Sequence, residues 1–182
     1  MLNNIANALT LSRILVIPII VLLIYMRGPF SCWLAFFLFS IASITDYFDG
    51  YFARIRKEVS NLGIFLDPIA DKLLVSSVIL ILTSKGIISN FEIIPALIIL
   101  VREIAVSGLR EFLAGIKVSV PVSKIGKFKT LLQLVALGIL ILSEGEIAIF
   151  PILLFGKIAL WIAALLTLYT AYDYLKSGLK HF

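Results

Sequence analysis

Residues Asp46-Tyr-Phe-Asp49-Gly50-Tyr-Phe-Ala53-Arg54, followed after eight residues by Gly63-Ile-Phe-Leu-Asp67-Pro-Ile-Ala-Asp71, decide how the rest of the chain is read. Four carboxylates lie here within or at the ends of two strongly apolar segments. An unpaired charge in such a segment costs about 2.5–3.5 kcal/mol even on lenient membrane-insertion scales, so a chain that keeps four of them points to a site. At about 100° per residue, Asp46, Asp49, Gly50, Ala53 and Arg54 share one broad face of a helix. Gly63, Asp67 and Asp71, each four apart, form a narrower stripe on the next. If the two helices pack as an antiparallel pair across the short polar loop Ile55 to Leu62, their acidic faces converge. Several hard oxygen ligands at i, i+3 and i, i+4 spacing have the chemistry of a divalent-metal site.

Outward from this stretch the chain is apolar almost throughout. Of its 182 residues 61% are hydrophobic and the mean hydropathy is +1.10, far above a soluble domain with about 45–50% apolar residues. The composition therefore reads as an all-α, polytopic membrane protein. Six segments are near or above the roughly 20 residues needed to span a bilayer: Leu9 to Met26, Trp33 to Ala53, Ile64 to Ser84, Phe91 to Ala114, Ile125 to Leu142 and Ile147 to Leu175. Residues 1–8 suit a short interfacial segment ahead of the first span, and residues 1–182 read as one membrane domain. The first apolar run lacks a basic leader and a small-x-small cleavage site and carries Arg13 near its start, so it is expected to be retained.

The formal charge of +5 is informative through its placement. With the N-terminus inside, Arg54, Arg56, Lys57, Lys117, Lys124, Lys127, Lys129, Lys176 and Lys180 fall on the cytoplasmic side, against Arg27 and Lys85 in the opposite loops, which also hold Glu144 and Glu146. Lys and Arg collect in cytoplasmic loops, so both termini and the aspartates are expected at the cytoplasmic face of the cell inner (plasma) membrane. The basic residues serve topology, and no nucleic-acid partner is expected. A single cysteine, Cys32, reads as a small apolar residue, and His181 is assigned no chemistry. Lys157 is read as snorkelling to the outer interface, and Tyr169, Tyr172 and Tyr174 as an aromatic belt.

The fourth segment carries Arg102, Glu103, Arg110 and Glu111. Arg102 and Glu103 lie mid-span, so they must pair, line a polar cavity, or both. Arg110 lies two turns nearer the cytoplasm, where an anion could meet it. Lys127 and Lys129, with Gly126, open the fifth segment, where helix N–H groups and dipole favour a phosphate. Both lysines are equally compatible with simple topological anchoring, as is Arg13.

The pattern Asp-x2-Asp-Gly-x2-Ala-Arg-x8-Gly-x3-Asp-x3-Asp has no position missing here and resembles the signature of the CDP-alcohol phosphotransferase family. That resemblance implies a helical membrane enzyme transferring a substituted phosphate from a CDP-linked lipid to an alcohol. It implies Asp46, Asp49 and Asp67 as ligands of Mg²⁺ or Mn²⁺, two ions in all. Asp71 becomes a ligand, or the neighbour of one, that also deprotonates the acceptor. Asp46, Gly50, Ala53, Arg54 and Gly63 would face the CDP-lipid, joined by Thr10 and Arg13. Asn7 to Arg13, Leu62 to Val75, Arg102 to Glu111 and Ile125 to Thr130 are similar to the family members that join CDP-diacylglycerol to sn-glycerol 3-phosphate, in phosphatidylglycerol biosynthesis. Glycerol 3-phosphate is a small dianion, and Arg102, Arg110, Lys127 and Lys129 are the cations available to bind it. A homodimer among membrane lipids is a further implication. Three alternatives stay open at this point: the same chemistry with serine or phosphatidylglycerol as acceptor, a divalent-cation transporter, and a catalytically dead scaffold.

Overall fold

A computed structural model describes residues 5–56, 61–116, 118, 124–144 and 150–178; for some of these, residues 46–56 and 67 among them, the description is of the backbone alone. Every element is helical: α1 (Ile5–Tyr25), α2 (Pro29–Arg56), α3 (Asn61–Ser84), a 3-10 turn (Asn90–Glu92), α4 (Ile93–Gly115), α5 (Lys124–Ser143) and α6 (Phe150–Gly178). There is no strand among the described residues.

Local chemistry sets the breaks. The expected second segment begins at Trp33, yet α2 starts four residues earlier at Pro29, because proline at the first helical position forfeits no hydrogen bond and arrives with its φ already set. Past α3, Gly86 adopts φ +78, the left-handed conformation that glycine takes without strain. Its N–H donates to the Thr83 carbonyl at 3.0 Å while Ile87 N–H reaches Leu82 at 3.1 Å, so the last carbonyls of α3 are satisfied. Pro68 is the eighth residue of α3, past the first turn, so its missing N–H leaves the Ile64 carbonyl without the usual donor four residues on.

The helices pack as a ring in the order α1, α2, α5, α6, α4, α3, with α5 against α6 the most extensive contact and α3 touching α5 across the middle. The direct contact between α2 and α3 is slight among the described residues; α1 lies against both. Along the described residues α1 thus stands between α2 and α3; the antiparallel α2–α3 pairing expected from the sequence concerns the last turns of α2 and the connection after it, of which residues 57–60 lie outside the described residues. Leu74, Leu82, Ile99, Leu137 and Leu140 are fully buried in the core, as is Phe39. Two glycines permit close helix approach. A Cβ at Gly156 of α6 would come within 2.8 Å of Leu140 on α5, and one at Gly138 within 3.0 Å of Phe36 on α2.

Two helical stretches are long and apolar enough to cross a membrane, Ile125–Ser143 and Pro151–Lys176, while Thr10–Tyr25 and Pro29–Thr45 are apolar but shorter among the described residues. α3 and α4 carry charges inside them, Asp71 and Lys72 in one and Arg102, Glu103, Arg110 and Glu111 in the other. Six helices stand where six spans are expected, and by length and composition two of them qualify outright. Around the bundle, large apolar side chains such as Leu15, Phe37, Leu80, Phe155 and Leu165 are exposed, a surface suited to lipid rather than water.

One end of the ring, formed by the α1–α2 and α3–α4 turns and the end of α5, is tied by ion pairs. Arg27 Nε donates to Glu144 Oε1 at 2.7 Å and its Nη2 to the Lys85 carbonyl at 3.3 Å. Lys85 Nζ donates to the Tyr25 carbonyl at 2.8 Å and lies 4.0 Å from the ring of the same tyrosine. Lys157 does not simply snorkel; its ammonium stands 3.0 Å from Glu92, binding α6 to the start of α4. Burial pushes the Glu92 carboxyl up, but the hydrogen bond and charge of Lys157 outweigh this and hold it below the usual carboxylate range.

Candidate active site

The opposite end, where α1, α3 and α5 begin and α2, α4 and α6 finish, gathers polar side chains into the apolar bundle. Thr10 and Arg13 of α1 are buried there, Arg13 at 2% exposure, too enclosed for a side chain that merely reaches up to solvent. Gly63 is buried at the start of α3. One turn of α3 separates Asp67 from Asp71. Asp71 is half-buried, and the adjacent Lys72 donates from Nζ to the Pro68 carbonyl at 2.7 Å.

Opposite α3, a carboxylate organises two cations. Glu103 Oε1 accepts from Lys129 Nζ and also from Arg102 Nη1, the latter at 3.3 Å. Arg102 extends to α6, where Nη2 donates to Thr170 Oγ1 at 3.1 Å and the guanidinium stands 5.7 Å from the Tyr174 ring. Lys129 is 2% exposed, which an ammonium tolerates only when paired. The mid-span pairing expected of Arg102 and Glu103 is present, and Lys129 joins it. Tyr174 differs from the expected aromatic belt. Tyr169 and Tyr172 are exposed, but Tyr174 is buried at 7% exposure beneath Arg102, because α6 turns that face inward.

Between α3, α4 and α5 lies a cavity lined by Asp71, Lys72, Ser76, Glu103, Thr130 and Gln133, with Val75, Leu100 and Ile104 as its apolar walls. Of the sequence candidates, Asp71 faces this cavity, while Arg102 and Lys129 are held at its edge through Glu103. Arg110 and Lys127 are exposed and line none of it. Asp46, Asp49, Gly50, Ala53 and Arg54 occupy the last turns of α2, at this same end, and Asp67 sits one turn before Asp71; their side chains lie outside the described residues. Sequence reading passed over Ser76, Gln133 and Thr170. Only Gln133 left a legible signal: it follows Lys129 by four residues, so both share one face of α5.

The donor set suits a hard divalent ion. Asp71 presents a half-buried carboxylate to a cavity that also holds hydroxyl and amide groups, Asp67 precedes it by one turn, and neither His nor Cys stands among the pattern residues. Asp46, Asp49, Asp67 and Asp71 are the residues that could hold such an ion.

Comparison with known proteins agrees with this chemistry. The chain is 52% identical over 180 residues to a CDP-diacylglycerol--glycerol-3-phosphate 3-phosphatidyltransferase of Rickettsia bellii (strain RML369-C), covering 99% of this chain and 98% of the relative. Proteins of the same name from Bacillus subtilis (strain 168) and Escherichia coli (strain K12) are each 39% identical. The first alignment covers 94% of this chain and 93% of the relative, the second 96% and 94%. The family model for CDP-alcohol phosphatidyltransferases matches residues 3–169. With a complete aspartate pattern in sequence and a match over nearly its whole length, this chain belongs to the CDP-alcohol phosphatidyltransferase family.

Proposed function

We propose that the protein transfers the phosphatidyl group of CDP-diacylglycerol to sn-glycerol 3-phosphate, forming phosphatidylglycerophosphate and CMP. The observation that carries this is the cavity on which Asp71 and the Glu103-held cations Arg102 and Lys129 converge. Two cations share one carboxylate, so the pocket edge carries a net positive charge suited to a small dianionic acceptor. Arg110 and Lys127, exposed at the same end, would draw that anion in.

In this reading the primary hydroxyl of the acceptor attacks the β-phosphorus of the CDP-lipid. A new P–O bond forms as the bond to the CMP oxygen breaks, and the Asp71 carboxylate takes the hydroxyl proton. Two Mg²⁺ or Mn²⁺ ions held by Asp46, Asp49, Asp67 and Asp71 would neutralise the diphosphate. Gly50, Ala53 and Gly63 leave room for the nucleotide, Arg54 supports the diphosphate, and Thr10 and Arg13 border it from α1. The whole chain acts as one domain of six spans in the inner membrane, with this end cytoplasmic, and two copies associate.

The test is CMP release by the purified protein with CDP-diacylglycerol, a divalent ion and a panel of acceptors. Release with glycerol 3-phosphate alone, abolished by chelation and restored by Mg²⁺ or Mn²⁺, is the expected result. Release only with serine or phosphatidylglycerol would replace the acceptor, and no release from folded, metal-supplied protein would overturn the reading.

A further inference from the structure

Gln133 has an unexplained place in this bundle. Its side chain is buried at 2% exposure, yet its Oε1 has no hydrogen-bond partner among the described residues. Leaving a buried amide oxygen unsatisfied is costly, so such an atom calls for a ligand. The residue lines the cavity that also holds Asp71, beside the hydroxyls of Ser76 and Thr130 and against the apolar walls Val75 and Leu100. An amide offers both a donor and an acceptor, and a hydroxyl does the same; an alcohol is therefore the matching partner, whereas a phosphate, an acceptor only, would leave the amide oxygen without a donor.

Register sharpens the match. Gln133 lies four residues beyond Lys129 on α5, about 6 Å along the axis on the same face. A phosphate near Lys129 places the hydroxyls of a three-carbon acceptor one turn deeper, between Gln133 and Asp71. We propose that Gln133 binds the hydroxyl of the acceptor that does not react, the C2 hydroxyl of glycerol 3-phosphate, and so selects a polyol phosphate while presenting the terminal hydroxyl to Asp71. This rests on the phosphatidyl-transfer reading above and adds to it a specificity-determining residue.

The test compares sn-glycerol 3-phosphate with 3-hydroxypropyl phosphate, which has the same chain, phosphate and terminal hydroxyl but no C2 hydroxyl. Unsubstituted protein should use the deoxy acceptor roughly 10- to 100-fold less efficiently in kcat/KM, the range of one lost hydrogen bond to a buried group. Gln133→Leu, of similar volume, should lose that discrimination: its kcat/KM for glycerol 3-phosphate should fall to near the deoxy value, with the KM for CDP-diacylglycerol unchanged. Equal use of the two acceptors by unsubstituted protein overturns the proposal without need of any variant, and so covers a Gln133→Leu protein that fails to fold. Gln133→Leu that keeps full discrimination also overturns it and leaves Gln133 as the holder of a buried water. Failure of the unsubstituted protein to release CMP with glycerol 3-phosphate at all would instead remove the underlying reading.

Discussion

At the scale of single residues, the site is built from groups that a bilayer segment would ordinarily exclude, each held by a specific neighbour. Glu103 pairs with Lys129 and Arg102 and holds them at the edge of one cavity, and Thr170 and Tyr174 steady the far side of the arginine. Lys129→Met removes a cation but leaves the Arg102–Glu103 pair. It should raise the KM for glycerol 3-phosphate about 10-fold or more while moving that for CDP-diacylglycerol little, as steady-state kinetics with each substrate varied would check. Arg110→Ala, at an exposed position outside the cavity, should have the smaller effect of the two. Asp71→Asn should lower kcat by about 10²–10⁴-fold, the range for loss of a general base, with CDP-lipid binding by equilibrium dialysis largely retained.

At the scale of elements, what matters is how closely the helices approach and how their ends are tied. The most extensive contact, α5 on α6, depends on a missing side chain, since a Cβ at Gly156 would meet Leu140 Cδ2 at 2.8 Å and Ile139 Cγ2 at 3.1 Å. Leu140 is fully buried and has little room to yield. Gly156→Ala should therefore destabilise the fold by about 1–3 kcal/mol, read as a lower melting temperature in detergent, without changing KM for either substrate. One residue further along α6, the Lys157–Glu92 pair joins α6 to α4. Because the Glu92 carboxyl titrates below its ordinary value in the folded protein, its stabilisation is complete above the ordinary carboxylate range and is lost as pH falls through the lowered value. Glu92→Gln should lower the melting temperature by about 1–3 °C at neutral pH, and the difference should vanish in strong acid.

At the scale of the whole molecule, the alternation of six helices puts the beginnings of α1, α3 and α5 and the ends of α2, α4 and α6 at one end. The candidate site residues belong to those stretches or, like Arg102, Glu103 and Gln133, lie about half-way along their helices. The topology reading predicts that this end is cytoplasmic, and cysteine labelling tests it. In a Cys32→Ala background, which removes a fully buried and unreactive thiol, Phe91→Cys at the opposite end should react with a membrane-impermeant maleimide in intact cells. Lys176→Cys should react only after permeabilisation. The reverse pattern would invert the protein in the membrane.

The helical class, the number of helices and the family were legible in the sequence, because apolar length and the fixed spacing from Asp46 to Asp71 are local properties of the chain. Even the pairing of Arg102 with a carboxylate could be anticipated from the cost of leaving it alone in an apolar segment. What only the tertiary structure decided are the relations between segments far apart in the chain. The ring order puts α1 between α2 and α3, Lys129 reaches back to Glu103, Arg102 crosses to Thr170, Lys157 finds Glu92, and Gln133 turns into the Asp71 cavity. Hydrophobic periodicity tells which face of a helix is polar but not which neighbour it meets. That choice is made by how six apolar cylinders fit together around small residues such as Gly138 and Gly156, where packing rather than pattern sets the partner.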